Sequence, residues 1–138
     1  LTDAIIDLKE GFPTFAPLQV GFDATSFEAV SENDALFIRT SDGKVGKASA
    51  ADGTLENATV VGFARENAGI NSTVKVIVVG LKTMSGLNAG DLHFLSPSTA
   101  GEITTTAPSS AGQAVVRVGE SVSTTEFAIQ PEPPILLS

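Results

Sequence analysis

Few residues in this 138-residue chain could do chemistry. The only histidine is His93, and no cysteine is present. Asp34 and Asp91 stand at matching places in two related stretches, so they could form a carboxylate pair or contribute to a calcium site. General acid–base catalysis needs such groups to converge, within about 3 Å or through one water. Turn chemistry accounts for the aspartates more simply. Asn33-Asp34 and Gly90-Asp91 both precede apolar runs, where Asp accepts local backbone hydrogen bonds. His93 sits between Leu92 and Phe94 and should face away from them on a strand, a solvated or interface position. A strong metal site needs several convergent ligands, and no Asp-x-Asp-x-Asp-Gly loop is present. No glycine-rich phosphate cradle is present either. The expectation is no catalytic residue, no cofactor, no metal site and no enzyme activity.

Composition narrows the partners. The formal net charge is −8, and the eight Lys and Arg are scattered singly. Neither nucleic acid nor a membrane surface is an expected partner, because no basic patch exists to neutralise phosphates. The longest apolar run, 74–81, is interrupted by Lys75 and is far short of the roughly 20 residues of a spanning helix. No secretory signal is expected, since the first seven residues carry two acids and no base. Without cysteine the chain is indifferent to redox compartment. Eight Phe with no Trp or Tyr lower the expectation of sugar binding, which favours aromatics with a polar handle.

The elements that must position these residues read as all-β. Gly and Pro punctuate runs rich in Val, Ile, Thr and Phe. Strands are expected at 35–40, 59–64, 73–79, 91–95, 102–106, 114–118 and 126–130. Ser41-Asp42-Gly43-Lys44 should turn a hairpin into Val45. The run 73–80 is nearly continuously apolar, as for a strand buried on both faces. A single amphipathic helical stretch capped by Thr2 or Asp3, running through Leu8 and ending at Gly11, or an extended arm, is expected at the start.

An internal repeat organises the chain. Asn33-Asp34-Ala35-Leu36-Phe37-Ile38, Gly43-Lys44-Val45 and Val60-Val61-Gly62-Phe63 line up with Gly90-Asp91-Leu92-His93-Phe94-Leu95, Gly101-Glu102-Ile103 and Val116-Arg117-Val118-Gly119. The fold class expected is mainly β, a single small β-barrel or β-tulip-like domain over 31–130. Its two repeat-related halves cover about 31–66 and 88–122, with extended N- and C-terminal arms over 1–30 and 131–138. Prolines at 13 and 17, and at 131, 133 and 134, favour extended segments whose apolar side chains project. Phe12, Phe15, Leu18, Ile135, Leu136 and Leu137 are therefore the candidate interface residues, with the alternative that one arm packs on its own barrel.

The stretches NDALFIRTSDGKVGKA…TVVGFA and AGDLHFLSPSTAGEITTTAPSSAGQAVVRVGESVSTTEFAIQP resemble bacteriophage capsid decoration, or cement, proteins over roughly residues 31–130. Arg117 and Glu120 depart from the plain Val-Gly-Val-Ala form of that pattern. The resemblance implies a small β-barrel or β-tulip on the capsid exterior of a virion. It further implies a major capsid protein as partner and a homo-oligomer, trimer or dimer. A tail-fibre or adhesin domain binding host surface glycans is the alternative, and a hydrolase or lyase using Asp34, Asp91 and His93 is another.

Overall fold

The structure is a computed structural model that describes residues 19–51 and 54–138. Phe12, Phe15, Leu18 and the expected N-terminal helical stretch lie outside the described residues. The remainder is mainly β, built on one strongly curled half-barrel sheet. Its strands are β1 (Gln19–Thr25), β2 (Ala35–Ile38), β3 (Val45–Lys47), β4 (Gly62–Ala64), β5 (Thr73–Thr83), β6 (Leu92–Leu95), β7 (Ile103–Thr104), β8 (Ala114–Val115), β9 (Arg117–Ser121), β10 (Glu126–Ile129) and β11 (Ile135–Leu136), with one helical turn, α1 (Leu55–Ala58). All seven expected strands have counterparts, most of them shorter. The 41–44 turn is a hairpin: Gly43 takes φ 76°, and Arg39 N donates to Lys44 O at 2.7 Å.

The main sheet runs β3-β2-β4-β5-β10-β9-β6-β7, with β1 added on β5. Its second half retraces the first, since β7, β6, β9 and β10 occupy the places of β3, β2, β4 and β5. Hydrogen bonds repeat as well. Asn33 N donates to Ala64 O at 2.8 Å and Gly90 N to Ser121 O at 2.7 Å, while Ala64 N reaches Asp34 O and Ser121 N reaches Asp91 O, both at 2.9 Å. The alignment of the last repeat segment needs a correction of one residue. His93 is registered with Gly119 and Phe94 with Arg117, so Val118 is an extra, bulged residue. Gly62 is therefore the counterpart of Gly119. A Cβ on Gly62 would lie 2.4 Å from Ile77 O, and one on Gly119 2.1 Å from Ala128 O, so neighbouring backbones close up at the same point in both halves.

Equivalent positions do not face the same core. Ala35, Phe37, Phe63 and Ile77 of the first half enter the larger apolar cluster with Leu95, Val116, Val118, Phe127 and Ile129 of the second. Leu36, Val45, Ala64, Val74 and Val76 form a smaller cluster with Val30 on the opposite face. His93, the counterpart of Leu36, lies instead against Phe127, ring centroids 5.2 Å apart, and Phe127 lies 5.6 Å from Phe63. The halves are thus stacked front to back. The exposed back of the first half is closed by Ala24, Val30 and Ala68.

Two expectations change. Residues 1–30 are not an arm throughout, because Gln19–Thr25 pairs with β5 along its whole length and 26–30 help to close the smaller cluster. Nor is β5 buried on both faces: Val76 and Ile77 feed opposite clusters, but Thr73, Lys75 and Val79 are exposed. A strand so rich in Val and Ile reads as doubly buried from sequence, yet alternate residues toward its start and Val79 near its middle stay open to solvent.

Candidate interaction surface

The residues with chemical potential are taken up by local structure. The Asp34 carboxylate accepts from Ser31 N at 2.8 Å and so fixes the turn into β2. Burial pushes its pKa up against that hydrogen bond. His93 is 5% exposed. Its Nε2 is 3.2 Å from Ser121 Oγ, whose own proton goes to Asn88 O at 2.5 Å. Nε2 must therefore be the donor, which leaves Nδ1 as a bare acceptor, and that atom is buried without a partner among the described residues. Burial holds the imidazole pKa below its ordinary value, and the nearby Asp91 charge only partly opposes this. The neutral ring edges an open depression of about 420 Å³ with Met84, Leu87, Ile103 and Thr104. Neither aspartate is hydrogen-bonded to His93 among the described residues, and no group of three or more His, Asp or Glu there could hold a metal ion.

Apolar surface is the other resource. The polyproline-like stretch after Gln130 leads into β11, which pairs antiparallel with β8, Ile135 opposite Val115 and Leu136 opposite Ala114. Glu132 N donates to Arg117 O at 2.9 Å, Leu137 N to Gln113 O at 2.8 Å, and Gly112 N to Leu137 O at 2.9 Å. On its other side Ala114 N donates to Ala50 O at 3.0 Å. The tail is thus extended, as its prolines dictate, yet its backbone is fixed on its own domain. Its side chains are not: Ile135 is 64% exposed and Leu136 46%, with Leu137 half-buried. The result is a stiff two-stranded ribbon, separate from the main sheet, that holds two large aliphatic side chains in water.

A second apolar surface escaped the sequence reading. Ile38, Val60, Val61, Val78 and Pro131 wall a groove of about 620 Å³, with Thr40, Glu56 and Thr59 beside them. Ile38 and Val61 look like ordinary strand residues in sequence. Pro131 at the start of the tail borders the same groove, a juxtaposition that only the tertiary structure makes. The chain matches no protein-family model, and no curated protein matches it at a significant level.

Proposed function

We propose that the chain is a non-enzymatic virion structural protein that binds and stabilises the outer surface of a phage capsid as a homo-oligomer, with the major capsid protein as its partner. The observation that carries this reading is the β8–β11 ribbon, which presents Ile135 and Leu136 outward on a backbone already fixed by hydrogen bonds. A pre-ordered apolar anchor loses little entropy on docking. Burial of one such side chain contributes roughly 1.5–3 kcal/mol. A surface with net charge −8 supports a protein partner over a nucleic acid.

Co-sedimentation of the purified protein with phage capsids tests this. Saturable binding at a fixed ratio to capsid subunits is expected, together with a loss of affinity of at least roughly tenfold in the Ile135→Asp/Leu136→Asp double variant. Absence of capsid binding, with retention on host cells or glycans, would replace this reading with the adhesin one.

A further inference from the structure

β1 lies off the main path of the sheet, and among the described residues it pairs with β5 alone. Its other edge is open, and Val20, Gly21, Phe22 and Asp23 are all exposed. The end of the ladder shows which backbone groups that edge carries. Ser26 N donates to Ser72 O at 3.0 Å, one step beyond the pair of Thr25 with Thr73. Hydrogen-bonded and non-hydrogen-bonded pairs alternate in an antiparallel ladder. Ala24 and Phe22 therefore turn their N–H and C=O groups to β5, while Gly21, Asp23 and Thr25 turn theirs to the open edge. Side chains alternate too, so Val20, Phe22 and Ala24 share one face. On it Phe22 is opposite Val76 and Ala24 opposite Val74, both members of the smaller apolar cluster. Val20 is 54% exposed there and Phe22 39%. An edge of this length is normally blunted by charges or proline, and β1 carries only Asp23.

We propose that β1 pairs with β1 of a second copy of this chain, antiparallel about a two-fold axis at Phe22. Only residues turned outward on both copies can exchange hydrogen bonds, so the axis must pass through a residue. An axis at Asp23 would set two carboxylates opposite each other, and one at Gly21 would leave Ala24 and Thr25 unpaired. The axis at Phe22 uses all seven residues of the strand. It sets Gly21 opposite Asp23, Gln19 opposite Thr25, Val20 opposite Ala24, and Phe22 opposite its own counterpart. Six apolar side chains then lie together, aromatic against aromatic at the centre, and extend the smaller cluster across the axis. Each Asp23 faces a glycine and keeps its own counter-charge, since Lys75 Nζ is 3.4 Å from Asp23 Oδ1. One such contact covers both open edges, as an isologous interface does. The inference rests on the homo-oligomer of the proposed function and names its interface.

Light scattering of the full-length protein should give the mass of two chains. A single chain at every concentration would overturn the homo-oligomer and this interface together. Three chains would overturn the interface alone, because a two-fold contact closes at two. The chain has no cysteine, so single ones can be introduced. Opposed residues of a non-hydrogen-bonded pair have Cα atoms about 4.5 Å apart, within disulfide reach, so Phe22→Cys should link two chains. Val20→Cys stands on the more exposed residue, yet it would lie at least roughly 13 Å from its counterpart and should link at least roughly tenfold more slowly. Equal rates, or faster linkage through Val20→Cys, would overturn the register. Charge gives a check that needs no covalent bond. Phe22→Glu and Phe22→Lys, each shown to be folded by circular dichroism, should be monomeric alone and recover the two-chain mass when mixed. Dimers of either variant alone, or no recovery on mixing, would overturn the proposal. A dimer that passes these tests but does not co-sediment with capsids would support the interface and remove the capsid from the proposed function.

Discussion

Protonation of His93 would put a charged N–H at Nδ1, which has no hydrogen-bond partner among the described residues. Because burial holds the folded-state pKa below the ordinary 6.5, the neutral ring's contribution to stability is fully present above 6.5 and is lost as pH falls from there through the lowered folded-state value. The urea midpoint should therefore drop between pH 7.5 and pH 5, and His93→Leu should flatten that part of the profile. The repeat makes the substitution tolerable, since Leu36 and Ala64 occupy in the first half the places of His93 and Ser121. His93→Leu is expected to leave stability at pH 7.5 within about 1 kcal/mol, because Ser121 keeps its bond to Asn88 O while an orphaned acceptor is removed. A fall of several kcal/mol at pH 7.5 would show that the ring nitrogen carries the local packing. Lys82 gives a second residue-scale test. Its side chain is 6% exposed and its ammonium lies 2.6 Å from the half-exposed Glu32. Lys82, through its hydrogen bond and charge, lowers the Glu32 pKa, so the pair's contribution is present above the usual carboxylate pKa and lost as pH falls through the depressed one. Glu32→Gln should lower the thermal midpoint more than Lys82→Met, because it strands a buried ammonium without its counter-charge.

At the scale of elements, each half carries the same close backbone contact between two of its strands. Gly62 and Gly119 sit under the carbonyls of Ile77 and Ala128, where a methyl group would have to displace backbone. Gly62→Ala and Gly119→Ala should each destabilise by about 2–3 kcal/mol, read as a shift in denaturant midpoint. Equal losses would mean that both contacts hold one cooperative sheet. A loss at only one would mark the other ladder as free to open. Most of the strands were legible in sequence from the alternation of Val, Ile, Thr and Phe between Gly and Pro. β1 was not, because Gln19, Gly21, Asp23 and Thr25, which alternate with Val20, Phe22 and Ala24, look like part of an exposed arm. β11 was not, because a strand of two residues after three prolines carries no periodic signal.

At the scale of the whole molecule, the tail is both part of the fold and an exposed apolar feature. Removal of residues 131–138 should leave a folded domain, since both apolar clusters are built before residue 130. It would also strip the hydrogen bonds from Glu132 and Leu137 N–H and the acceptor for Gly112 N–H, lowering stability by roughly 2–4 kcal/mol. Circular dichroism with urea unfolding measures that loss, and capsid co-sedimentation of the same truncation should show binding abolished. A truncation that binds like the full chain would move the contact surface elsewhere on the domain.

Sequence alone determined the β class, the hairpin at 41–44, the two-fold repetition and the candidate tail residues Ile135, Leu136 and Leu137. Each of these depends on local propensity, turn chemistry or spacing, which a chain carries wherever it folds. Tertiary structure decided which face of each half is buried, the one-residue bulge at Val118, the membership of β1 in the sheet, and the fixing of the tail on β8. It also decided that Ile38, Val61 and Val78 meet across a groove. These depend on which surfaces come together, and equivalent residues such as Leu36 and His93 met different surfaces because the halves stack front to back.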